Sequence, residues 1–343
     1  MRTLTRRELN RALLARQLLL ERGRMPLPRA LEHVAGIQAQ YAPSMYVGLW
    51  ARLEGLERAA LTAALVDRSA VQATLMRVTI HLVSREDFWP FALATREVRR
   101  ALWLRTRPER VSARAMTSAA RTLRARLSGG GTLKRTEIEA LVGKPRAHGI
   151  GLWVDLVRVP PSGTWERRRA DVFALAEEWI GPPEVRAGEA AEHLVRRYLA
   201  GFGPASRKDV ASFTGIPLTP LAAILARLDL RRFASEDGEE LLDVPGAPLP
   251  DPETPAPPRF LPTWDATLLT HARRTGVLPE EHRPKLFSTK TPHSCPAFLV
   301  DGAVAGTWRH EGRHVELAPF APLDAEDERG LRAEAERLAA FHA

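Results

Sequence analysis

The sequence predicts a mostly α chain with β (α+β). Three observations predict it. Helical apolar stripes followed by a two-stranded pattern occur three times, a proline-dense stretch then interrupts the chain, and most of the remainder reads as β. The 343 residues are enough for two or three domains of roughly 150 residues. The expected division is a first module over 1–104, a second over 105–181, a third over 182–247, and a linker with a β-rich domain over 248–343.

Each element has a local reason. Thr5 with Glu8 three residues on is a capping-box pattern, and Leu9, Ala12, Leu13, Leu18 and Leu19 extend a helical stripe to about Glu21. A second helix is expected over 28–37, a third near Ser44, and a fourth over 56–66. The period then changes to two over 71–75 and 79–83, which predicts a hairpin, before 88–104 returns to helix. Helices followed by a hairpin are the order of a winged-helix unit.

A second pass comprises a helix over 112–127, a joint at Gly129-Gly130-Gly131 and a short helix over 134–141. A β-like run over 148–159 then turns at Pro160-Pro161-Ser162-Gly163 and returns at Thr164-Trp165. A third pass has helices over 188–199, 207–213 and 217–228, then strands over 230–233 and 240–244 around Ser235-Glu236-Asp237-Gly238. Residues 245–258 are proline-dense and read as a linker. Beyond it, Asp301-Gly302 between two apolar runs signals a hairpin, and a closing helix is expected over 324–341.

Composition narrows the function classes. No stretch of about 18 apolar residues is present, so no membrane span is expected. Met1-Arg2-Thr3-Leu4-Thr5-Arg6-Arg7 leads into a charged amphipathic pattern rather than a signal-peptide core, and Cys295 has no partner cysteine. Both fit the cytoplasm. No Cys/His spacing suits zinc and no phosphate-loop pattern occurs, so neither metal nor cofactor is expected. The net charge of +9 points to a polyanion, most simply nucleic acid. The excess concentrates between Arg99 and Arg126, where nine arginines face one acid, Glu109. Arg99, Arg100, Arg105, Arg107, Arg110, Arg114, Arg121 and Arg124, with Arg167 and Arg168 after the second expected hairpin, are therefore the phosphate-contact candidates. The bland alternative is a solvated face, although such faces usually mix both signs.

The stretch Gly36-Ile37-Gln38-Ala39-Gln40-Tyr41-Ala42-Pro43 carries two amides two residues apart. On a helix they would point about 200° apart, whereas on an extended segment they share a side. Gly36 and Pro43 favour a break in helix here. An amide does not titrate, but its oxygen can orient water or stabilise developing positive charge. The bland reading is a pair of polar residues at a frayed helix end. Tyr41, Tyr46 and Trp50 read as core rather than stacking platforms.

With these residues in view, the chain resembles the tandem winged-helix DNA glycosylases of the AlkZ-like and YcaQ-like family, the azinomycin self-resistance type. The carriers are Gly36-Ile37-Gln38-Ala39-Gln40, the run 76–83, the run 198–205, Phe260-Leu261-Pro262-Thr263-Trp264-Asp265 and the run 300–309. The resemblance implies three tandem winged-helix modules in a C-shaped whole. It also implies hydrolysis of the N-glycosidic bond of N-alkylated purines such as 7-alkylguanine in base excision repair, extending to bulky adducts and interstrand crosslinks. Gln38 and Gln40 match the family's Gln-apolar-Gln catalytic pattern. His81 and Thr79 are supporting candidates, although a lone histidine on an apolar strand more often serves the core. The sequence has Met76-Arg77-Val78-Thr79 where the family pattern has Arg-Gly-Thr. The implied partner is double-stranded DNA containing alkylated purines, bound by a monomer in the cytoplasm, associated with the nucleoid through that DNA. The competing classes are a non-catalytic winged-helix transcription regulator and an interaction protein whose basic charge reflects genome composition.

Overall fold

The computed structural model describes residues 1–106, 111–269, 276–288 and 293–343. The architecture is mixed α and β. The first helix, Arg6–Arg16, opens on the expected capping box: Glu8 N donates to Thr5 Oγ1 at 3.1 Å, and Thr5 N donates to the Glu8 carboxylate at 2.7 Å. It ends before the expected Glu21 because Leu18 turns left-handed at φ 55°. The apolar stripe continues past that point, but as a buried turn. The second helix, Leu27–His33, also stops short of its expected end, where Ala35 and Gly36 take φ values of 58° and 79°. Only glycine suits the second position, since a Cβ there would lie 2.9 Å from Val83 Cγ1.

Helices Ala42–Trp50 and Arg58–Val66 follow, then strands Ala70–Thr74 and Ile80–Ser84 and the long helix Arg85–Thr106. The two strands pair antiparallel across the tight loop Met76–Val78. Helix Ala113–Leu127, strand Leu133–Lys134 and helix Arg135–Val142 lead to strands Leu156–Arg158 and Val172–Leu175. The return strand lies later than expected. Residues 164–165 belong instead to the connecting loop, where Trp165 is buried edge-on against Tyr46 at 5.5 Å.

These strands form one six-stranded sheet. Its order is Ile37–Gln38, Ile80–Ser84, Ala70–Thr74, Leu156–Arg158, Val172–Leu175, Leu133–Lys134. The junction is the pairing of Gln72 with Arg158 and of Ala73 with Val157. The first and second hairpins therefore share a ladder.

Helix Ala187–Phe202 packs along the long helix, and buried Asp87 accepts from His193 Nε2 at 2.6 Å and Arg197 Nε at 3.0 Å across that contact. Helices Arg207–Thr214 and Leu218–Leu225 precede the hairpin Arg231–Ser235/Glu240–Asp243, against which Thr3–Leu4 pairs in parallel. The proline-dense stretch is pinned to the first helix: Arg11 Nε donates to Thr254 O at 2.7 Å and Arg16 Nη2 to Pro248 O at 3.0 Å. A four-stranded sheet of Arg259–Leu261, Ala297–Val300, Ala303–Glu311 and His314–Pro319 follows, and helix Ala325–His342 closes the chain. Asp301 and Gly302 turn that hairpin with φ of 45° and 78°, as their dipeptide predicts.

Candidate active site

The positive φ at Ala35 and Gly36 converts the end of a helix into an extended edge strand. Ile37 pairs with Leu82 and Gln38 with His81, and the ladder continues through Ala39 N donating to Ile80 O at 2.7 Å. The glutamine motif thus enters its site in extended form, as its glycine and proline suggest. Gln38 is buried and Gln40 is exposed, so the two amides lie at different depths.

Both amide oxygens are held by the turn that joins the neighbouring strands. Arg77 Nη2 donates to Gln38 Oε1 at 3.3 Å, and the backbone N–H of Ile80 donates to Gln40 Oε1 at 3.1 Å. Both groups are obligate donors, so they fix which end of each amide is oxygen. Each oxygen keeps a second lone pair.

His81 sits opposite Gln38. Its Nδ1 lies 3.0 Å from Thr79 O, and a carbonyl only accepts, so Nδ1 carries the proton. Nε2 then presents its lone pair to Arg77 Nη2 at 3.5 Å. Burial, reinforced by the charges of Arg77 and Arg99, lowers the imidazole to a pKa of about 3. It is neutral at physiological pH and accepts rather than shuttles a proton. The Thr79 hydroxyl donates to Met76 O at 3.2 Å.

Arg77 was not singled out by sequence. Its guanidinium lies 4.7 Å from the centre of the Phe213 ring, and burial lowers its pKa to about 10. The signal available was the motif Met76-Arg77-Val78-Thr79 between two strands. Arg77 and Val78 adopt φ of 52° and 58°, a conformation costly for the β-branched Val78, which stands where the family pattern has glycine.

The arginine candidates separate on burial. Arg99 is a correction. It is buried, and its guanidinium donates to four carbonyls, those of Ala92, Thr95, Thr74 and Leu75, so its work is internal. Arg100 is half-buried, donating to Leu152 O at 2.6 Å and to Glu97 at 2.8 Å. Arg105, Arg114 and Arg121 are exposed, and Arg124 is exposed but ion-paired to Glu177. Arg107 and Arg110 lie outside the described residues. Arg167 and Arg168 are exposed on the loop after the second hairpin's first strand, and Arg168 Nη1 donates to Tyr41 Oη at 3.0 Å. Tyr41 is itself exposed, contrary to the core expectation, whereas Tyr46 and Trp50 are buried.

Among the described residues no three His, Cys, Asp or Glu side chains gather to hold a metal ion, and no helix is long and apolar enough to cross a membrane. The chemistry available here is that of two oriented neutral amides, a neutral imidazole and a guanidinium.

Comparison with known proteins bears on that chemistry. No curated protein is similar enough in sequence to match. Among solved structures, the DNA glycosylase AlkZ of Streptomyces sahachiroi superposes with a TM-score of 0.79 at 18% identity, over 98% of this chain and 97% of that one. At that identity the likeness establishes a shared fold. A family model described as "DNA glycosylase AlkZ-like" matches residues 31–341, from the second helix through the closing one. The chain therefore belongs to the AlkZ-like DNA glycosylase family.

Proposed function

We propose that this glycosylase is a monofunctional hydrolase of the N-glycosidic bond of N-alkylated purines, 7-alkylguanine in particular, in base excision repair. Gln38 and Gln40 are its catalytic pair. An N7-alkylated guanine already carries positive charge, so it departs as a neutral base without a general acid. Departure leaves an oxocarbenium-like sugar that needs charge stabilisation and a placed water. The observation that carries this reading is that both amide oxygens are pinned by obligate donors, with a lone pair left on each. Preorganised dipoles of this kind stabilise developing positive charge without reorganising. They are weaker than a carboxylate, which restricts cleavage to bases that already leave well.

The three passes of helices and hairpin, 1–104, 105–181 and 182–247, read as winged-helix modules for double-stranded DNA, with 248–343 as the C-terminal domain. Exposed Arg105, Arg114, Arg121, Arg167 and Arg168 supply phosphate contacts, and the enzyme works as a cytoplasmic monomer. Bulky adducts and crosslinks are included as substrates, since Gln40 lies at the surface rather than at the bottom of a pocket for an extruded base.

The test is incubation of the purified protein with duplexes containing 7-methylguanine or a 7-alkylguanine crosslink. Appearance of free base and abasic sites supports the reading. Binding without base release refutes it and favours a regulator.

A further inference from the structure

The charges around the turn at 74–79 leave an excess that the protein does not cancel. Elsewhere in the described residues, buried arginines have carboxylate partners: Arg16 with Asp243, Arg22 with Glu334 and Arg52 with Asp265. Around this turn, Arg77, Arg99 and Arg158 have no ion pair among the described residues. Arg99 Nη1 donates to Thr74 O at 3.1 Å and Leu75 O at 3.0 Å, and Arg158 Nη2 donates to Thr74 Oγ1 at 3.2 Å. Asp155, the carboxylate that Arg99 feels most, is already bonded to Arg96 at 2.7 Å. Burial lowers all three guanidinium pKa values to about 10. Arg99 is buried and Arg77 and Arg158 are half-buried, and a partly desolvated cation without a carboxylate is better accommodated when an anion arrives.

Of the three, Arg77 has two nitrogens without a partner among the described residues. Its Nη2 is committed to Gln38 and His81, but Nε and Nη1 have no hydrogen bond among the described residues, and neither is a buried unsatisfied atom. Its neighbours on the turn open outward: Val78 is 44% exposed, and Gln40 is exposed beside it. Stacking on Phe213 fixes the guanidinium plane. With Nη2 committed, both bidentate edges of the guanidinium are taken, and Nη1 is left to give one charge-assisted N–H to a phosphodiester oxygen.

We propose that Arg77 is a positioning residue whose Nη1 takes a backbone phosphate next to the lesion while its Nη2 sets the amide of Gln38. The inference rests on the catalytic reading of Gln38. Without the phosphate, a bare guanidinium 3.3 Å from Gln38 Oε1 opposes the positive charge that grows on the sugar. With it, the cation is neutralised by the substrate's own backbone, while the glutamine keeps the orientation it already has. Free 7-methylguanosine, which has no phosphodiester, is then a poor substrate.

The experiment uses the full chain and 7-methylguanine duplexes carrying a single uncharged methylphosphonate immediately 5′ or 3′ to the lesion. Affinity and single-turnover base release are measured for the wild type, Arg77→Gln and Arg77→Lys. One of the two methylphosphonates is expected to weaken wild-type binding and slow release about tenfold, the scale of one charge-assisted contact. Arg77→Gln is expected to show the same loss on the ordinary duplex and no further loss on the modified one. Arg77→Lys keeps the sensitivity to the methylphosphonate but releases base more slowly, because one ammonium cannot hold both the phosphate and Gln38. Wild-type indifference to both methylphosphonates overturns the proposal, and it needs no variant to fold. Equal methylphosphonate losses in Arg77→Gln and wild type overturn it as well. If wild type releases no base from any duplex, the catalytic reading fails, while the affinities still decide whether Arg77 holds a phosphate.

Discussion

Gln40 reaches across to the neighbouring strand, where its Oε1 accepts the backbone N–H of Ile80 at 3.1 Å. Ile80 O meanwhile accepts Ala39 N–H at 2.7 Å, so one residue of the partner strand brackets the motif from both sides. The amide of Gln40 thus takes a ladder position that backbone would otherwise fill. Shortening this side chain removes a tie between strands as well as the oxygen proposed for catalysis.

Gln38→Ala and Gln40→Ala are each expected to lower release of 7-methylguanine from duplex DNA by about 100-fold or more, the scale of one lost preorganised dipole. Duplex affinity stays near wild type. Retention of full rate in both variants would remove the pair from the mechanism. Gln40→Ala should also melt lower, because Ile80 N–H is left without its acceptor.

His81 gives a signed pH dependence. An unperturbed histidine takes up its proton near 6.5, but this one stays neutral down to about 3. Between those values the unfolded chain binds the extra proton, so this group's contribution to stability is complete above about pH 6.5 and is lost as pH falls toward 3. Urea unfolding at pH 7.5 and 5 should show a larger loss for wild type than for His81→Leu. The other lowered histidines, His33, His310 and His342, are common to both proteins and cancel in the comparison. Parallel pH curves would mean that His81 is charged in the fold.

Arg99→Met should cost about 3 kcal/mol of stability, since it strands four buried carbonyls that now receive charged N–H groups. It should leave the salt dependence of DNA binding unchanged. Arg114→Gln and Arg121→Gln should do the reverse, lowering the slope of log K against log salt by about 0.9 for each phosphate that is no longer neutralised. Identical slopes in all three variants would remove the arginine helix from the DNA interface.

Val78→Gly should stabilise the fold by about 1 kcal/mol. Left-handed geometry at a β-branched residue costs about 1–3 kcal/mol, partly offset by the extra freedom of glycine when unfolded. Little burial is sacrificed, as Val78 is 44% exposed. Thermal or urea denaturation reads the difference, and a lower midpoint would show that the valine side chain contributes packing that outweighs the strain.

The elements with local chemical causes were legible in the sequence. The Thr5–Glu8 capping box, the break at Gly36 and the Asp301-Gly302 turn are all set by residues within a few positions of one another. The mixed α and β class followed from the periods. Three features depended on distant partners and were not legible. Leu18 and Leu19 continue a helical stripe, yet Leu18 packs as a left-handed turn. The pairing of Gln72 with Arg158 unites hairpins that local patterning presents as separate. The arginine run shows its charge but not its faces, so buried Arg99 and exposed Arg114 look alike in sequence. Arg77 escapes notice in the sequence because its significance comes from Phe213 and Gln38, far from it along the chain.

The ladder that runs from Gln38 at one edge to Lys134 at the other joins the glutamine motif to the base of the arginine-rich helices. A hinge between those halves would have to break strand pairing, so thermal motion cannot swing one against the other cheaply. When the enzyme meets a lesion whose duplex does not fit its contour, the nucleic acid supplies the bending, and lesions that soften the helix are met at lower elastic cost.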